Sequence, residues 1–123
     1  MINLGRYGEE LARKFLEKKG FKLIECNFKT PRWGEIDLVM KDGETLVFVE
    51  VKSKSNPGAA LYGGPLSTIN FYKMRALKRA SQFYVSSKKL QGKPARLDAV
   101  SVILDEAGKA EIEYFPHISG NVW

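Results

Sequence analysis

The chain has 123 residues, is 44% hydrophobic, and carries a formal charge of +6 from 20 Lys and Arg against 14 Asp and Glu. That length builds one domain with a real core and leaves no room for a second. Its longest apolar stretches are strand-length and the N-terminus carries no signal-peptide core, which excludes a membrane span and predicts a cytoplasmic protein.

Asn3 is placed to cap a helix over residues 4–19, where Tyr7, Leu11, Phe15 and Leu16 recur at helical spacing and Gly20 ends the run. Residues 21–28 read as a first strand. Cys26 lies in it, without a disulfide partner or a CxxC neighbour, and is expected to be a small buried residue. A loop over 29–34, with Pro31, Trp33 and Gly34, leads into a strand over 35–40. Asp42-Gly43 is a hairpin signal between Lys41 and Glu44, and a third strand follows to residue 53. Pro57, Gly58, Gly63, Gly64 and Pro65 break up residues 54–65 into a long loop expected near the substrate.

Ser67 or Thr68 then caps a second helix to residue 86. Ile69, Tyr72, Ala76, Leu77, Ala80, Phe83 and Tyr84 fall on or near its apolar face, and the opposite face is basic. Residues 96–104 and 110–115 form a last strand pair. The order helix, three strands, helix, two strands gives an α/β fold with a mixed central sheet flanked by helices.

The third strand departs from ordinary core chemistry. Val47, Val49 and Val51 point to one face and Leu46 and Phe48 to the other, so both faces read as buried and the strand as central. Glu50 and Lys52 nevertheless continue the Leu46/Phe48 face. A buried charge without a partner costs several kcal/mol, on the order of the whole stability of a small domain, so charges kept there point to use. Pairing Lys41 with Glu44 sets Asp37 opposite Phe48, with Glu50 its diagonal neighbour about 7–8 Å away at the backbone, so both carboxylates reach one cation. A slip of one residue would turn Asp37 to the other face. The competing reading is a cross-strand ion pair at a sheet edge.

Hard oxygen ligands suit Mg2+ or Mn2+. Asp37 and Glu50 are the candidate metal ligands, with the carbonyl of Val51 between them and Lys52, and Lys52 is the candidate to orient or deprotonate a water. Positive charge implies a polyanionic partner, and its placement suggests phosphates: Lys52 and Lys54 follow the acids, Lys73, Arg75, Lys78 and Arg79 share the second helix, and Lys88, Lys89, Lys93 and Arg96 come after it. Trp33 either stacks on a base or covers the end of the sheet. Arg96 and Asp98, on alternate strand positions, read as a structural pair. His117, the only histidine, lies in the tail far in sequence from the acids and is expected to be solvated. No Gly-rich phosphate loop supports an enzyme of small nucleotides.

Gly34-Glu35-Ile36-Asp37-Leu38-Val39 followed by Val47-Phe48-Val49-Glu50-Val51-Lys52-Ser53 resembles the YraN family of bacterial restriction-endonuclease-like proteins, within the PD-(D/E)xK nuclease superfamily. Gly8-Glu9, Ala12, Gly20-Phe21, Lys73, Ala80 and Arg96-Leu97-Asp98 extend the likeness over most of the chain. The resemblance implies a restriction-endonuclease-like domain and metal-dependent hydrolysis of DNA phosphodiesters, in branched or otherwise non-duplex DNA. It adds Glu9 to the metal site, with Glu10 as the lesser candidate; Glu35, two residues before Asp37, reads either as an outer ligand on the same face or as a solvated charge at the strand entry. A glutamate in a first helical turn is also favoured by the helix dipole alone. A homodimer would account for symmetric cutting of a junction, and no segment marks its interface. The alternative is a nucleic-acid-binding module that keeps the fold without the chemistry.

Overall fold

The computed structural model describes residues 3–55 and 69–119, so most of the expected 54–65 loop, together with Ser67 and Thr68, lies outside them. Helix α1 (Leu4–Lys18) begins at Asn3, whose side chain accepts the Arg6 N–H at 3.1 Å. Three strands follow, β1 (Lys22–Lys29), β2 (Glu35–Asp42) and β3 (Thr45–Lys54), and then helix α2 (Phe71–Ser87), β4 (Ala95–Leu104) and β5 (Ala110–Phe115). The strands form one sheet in chain order. All neighbours are antiparallel except β3 and β4, which run parallel on either side of α2 in sequence. This is the expected mixed sheet flanked by two helices, consistent with a restriction-endonuclease-like fold.

Each helix covers one face. Ala12 and Leu16 of α1, with Phe21, pack on Leu38, Met40, Val47, Val49, Val100 and Val102. Leu77, Ala80 and Tyr84 of α2 pack on Val39, Leu46, Phe48 and Leu97 on the other side. Strand β3 is central, with Leu46 to Val49 buried whichever way they point. Helix α1 approaches the sheet closely at Gly8: a β-carbon there would lie 1.8 Å from Ser53 Oγ and 2.8 Å from Ser53 Cβ. Only glycine fits at that contact.

Several expectations change. The β2–β3 turn is Gly43-Glu44, closed by Asp42 opposite Thr45, with Gly43 at φ 60°. A glycine at the first central position suits a II′ hairpin, so this two-residue turn displaces the expected one by a position on each side. Helix α2 starts at Phe71 with Asn70 as its cap, the side chain accepting the Lys73 N–H at 2.9 Å. Tyr72 therefore stands 77% exposed rather than on the apolar face, and Phe83 is 38% exposed. Cys26 is also exposed, because β1 is an edge strand with a solvated side.

Candidate functional site

The charged end of the site forms where β2 and β3 part. Their ladder runs from Asp42 and Thr45 to Leu38 and Val49 and stops there, two positions offset from the pairing expected from the sequence. An offset of two preserves the face. Extending that register by one step brings Asp37 level with Glu50 rather than Phe48. The half-buried Asp37 side chain then takes over from the backbone, its Oδ2 accepting the Val51 N–H at 2.8 Å.

Glu50 is 5% exposed. Its Oε1 lies 3.5 Å from Lys52 Nζ and 3.5 Å from Lys73 Nζ, which reaches in from the first turn of α2. Its Oε2 is buried and has no hydrogen-bond partner among the described residues. Burial, and then the charge of Glu50, push the Asp37 carboxyl from 3.8 up to about 7. The Val51 N–H and Lys73 pull it down, and Glu9 pushes it further up.

Glu9 joins the same end of the sheet from α1. It sits in the second turn, and α1 has no acid in its first, so the helix dipole does not explain it. Its Oε1 accepts Asn27 Nδ2 at 2.9 Å, and Glu35 Oε1 accepts the same nitrogen at 2.7 Å. Asn27 is a residue the sequence reading missed. Its φ of 53° lies in the left-handed region that asparagine tolerates better than most side chains, and this aims its amide between the two acids. Among the described residues, no group of three or more His, Cys, Asp and Glu is arranged to hold a metal ion.

The remaining candidates separate. Lys54 ends β3 half-buried; Lys78 is half-buried and Arg79 exposed on the outer side of α2. Trp33 is partly buried and packs on the α2-side core. Arg96 is not available to phosphates: its Nε donates to the fully buried Asp98 at 3.1 Å. Asp98 also accepts Tyr114 Oη–H and the His117 N–H, the latter at 3.0 Å. Burial lowers the Arg96 pKa but Asp98 more than offsets it, and Tyr114 is raised by burial and by Asp98. This network is the structural pair expected from the spacing, enlarged by β5. Lys88 and Lys93 are engaged by Glu25 at 3.4 Å and Glu44 at 3.9 Å.

The family model described as uncharacterised protein family UPF0102 matches residues 8–102, a span that holds Glu9, Asp37, Glu50, Lys52, most of α1 and all of α2. The chain belongs to the UPF0102 family. A UPF0102 protein of Thermotoga petrophila is 49% identical over 94 residues, 76% of this chain and 81% of its own. One from Dictyoglomus turgidum is 36% identical over 115 residues, 93% of this chain and 94% of its own. One from Beutenbergia cavernae is 37% identical over 111 residues, 90% and 91% respectively. UPF0102 is the family to which the sequence resemblance points.

Among the described residues no helix is long and apolar enough to cross a membrane.

Proposed function

We propose that this UPF0102 protein is a divalent-metal-dependent endonuclease of the PD-(D/E)xK type, hydrolysing DNA phosphodiesters in branched or otherwise non-duplex segments. The observation that carries the reading is the buried Glu50 Oε2, without a hydrogen-bond partner among the described residues, close to Asp37, whose carboxyl is pushed up to about 7 by burial and by the charge of Glu50. Two carboxylates in that condition are stabilised by a hard cation, and the donors present are oxygens: Asp37, Glu50 and the carbonyl of Val51. The donor set fits Mg2+ or Mn2+. When bound, such an ion stabilises charge on the phosphate and lowers the pKa of water.

The chain's own residues do the rest. Lys52, its side chain 24% exposed and 3.5 Å from Glu50, is placed to hold and orient the attacking water, and Lys73 to meet a phosphate oxygen. Glu9 and Asn27 close the site from the α1 side. The cations of α2 draw in the backbone of the nucleic acid.

A second reading, binding without cleavage, has one observation in its favour: Lys52 and Lys73 already neutralise Glu50. Cleavage of labelled junction, flap, single-stranded and duplex DNA with Mg2+ or Mn2+ separates the two. For a nuclease, Asp37→Asn, Glu50→Gln and Lys52→Ala each lower the rate by about 10²-fold or more. Lys52→Ala leaves DNA affinity nearly intact. Absence of metal-dependent cleavage by folded wild type, with binding kept in the three variants, would establish the binding module.

A further inference from the structure

Helix α2 exposes two large aromatic rings where a core helix has no use for them. Phe71 is 74% and Tyr72 77% exposed, and their rings meet edge to face at 5.6 Å and 82°. Two nearly perpendicular ring faces therefore stand open to solvent in the first turn. Phe71 also heads a stripe at helical spacing, with Met74, Arg75, Lys78, Arg79 and Gln82 lining one shallow cleft. The helix carries Lys73, Arg75, Lys78 and Arg79 and no acid at all.

We propose that this face of α2 is a docking platform for single-stranded DNA, with Phe71 and Tyr72 stacking on unpaired bases and Arg75, Lys78 and Arg79 holding the phosphates. An apolar protein partner would account for the rings and leave Arg75, Lys78 and Arg79 without a role. Duplex DNA would account for the cations and leave the rings idle, since its bases are already stacked on one another. Exposed aromatics interleaved with positive charge match a chain of accessible bases and phosphates. The platform is continuous with the acid site: Lys73, the residue after Tyr72, lies 3.5 Å from Glu50. A strand stacked on the two rings enters the site unpaired, which assigns the substrate class to a physical feature of this chain.

The inference rests on the nucleic-acid half of the proposed function and not on cleavage. It is tested by fluorescence anisotropy in EDTA with an oligothymidylate, an abasic strand of equal length and a blunt duplex. Wild type binds the oligothymidylate more tightly than the abasic strand. Phe71→Ala/Tyr72→Ala lowers oligothymidylate affinity by about tenfold or more. It leaves abasic and duplex binding and the melting temperature unchanged, because both side chains are exposed. Phe71→Leu/Tyr72→Leu, which keeps apolar bulk without a π-face, loses as much. Arg75→Ala/Arg79→Ala weakens all three ligands and flattens the salt dependence. Equal binding of abasic strand and oligothymidylate by wild type, or oligothymidylate binding that survives loss of both rings, overturns the platform. Because the assay contains no metal, an inactive nuclease site changes none of these outcomes.

Discussion

Asp37 holds its proton up to about pH 7 in the folded chain, against an ordinary 3.8, because burial and Glu50 disfavour its charge. Between those values the folded state binds more protons than the unfolded one, so stability falls as pH rises through the window and the penalty is complete above about 7. Metal-free wild type should melt at a lower temperature at pH 8 than at pH 5, and the difference curve against Asp37→Asn should contain that slope. A difference curve flat in pH would remove the case for a desolvated carboxylate. Mg2+ or Mn2+ displaces the proton, so the ion should raise the melting temperature more at pH 8 than at pH 5. Gly8 makes a second prediction of definite sign. In an open helix Gly→Ala stabilises by about 1 kcal/mol, but here the new β-carbon meets Ser53 Cβ at 2.8 Å. Gly8→Ala should instead cost about 1–3 kcal/mol by overpacking, with Ser53→Gly restoring part of it in thermal melts.

The elements were legible wherever side-chain period and burial agree. Strand β3 announced itself as central through alternating valines and Leu46/Phe48, and both faces are indeed buried. The hairpin was placed with its register off by two, because Asp42-Gly43 was read as the turn pair whereas Gly43-Glu44 is. Asp37 still comes close enough to Glu50 to feel its charge, since an offset of two keeps the parity of the strands. Asn70 was missed as the α2 cap because Tyr72 and Ile69 looked like core residues at helical spacing, and spacing does not reveal where a sheet ends beneath a helix. Asn27 was invisible for a different reason: its role depends on a left-handed backbone between Glu9 and Glu35, two acids far from it in sequence. Arg96 and Asp98 were read as a pair from their alternation, but Tyr114 on β5 was not foreseen as the third member. Removing one partner of a buried pair strands the other, so Asp98→Ala should destabilise by about 3–5 kcal/mol in denaturant melts. A loss under about 1 kcal/mol, the usual range for exposed pairs, would mean that Arg96 finds solvent instead.

Across the whole molecule charge is divided: Glu9, Glu35, Asp37 and Glu50 gather at one end of the central strands, while α2 beside them is wholly basic. In metal-free protein Lys52 and Lys73 are engaged by Glu50, so of six cations on this side, Lys52, Lys54, Lys73, Arg75, Lys78 and Arg79, four are left for phosphates. Each phosphate neutralised on a single strand contributes about −0.7 to the slope of log affinity against log salt, so a slope near −2.8 is expected in EDTA, a loss of about 50-fold between 50 and 200 mM. Glu50→Gln frees both lysines. The slope should then steepen toward about −4.2, roughly 340-fold over the same interval, with tighter binding at low salt because a repelling carboxylate is gone. Wild type and Glu50→Gln titrated with salt against one single-stranded oligonucleotide give both slopes. Coincident slopes would show that Lys52 and Lys73 do not face the nucleic acid, and would separate the acid site from the path of the bound strand. A steeper slope in Glu50→Gln would instead join the two, since Glu50 then controls how much of the basic side can meet phosphate.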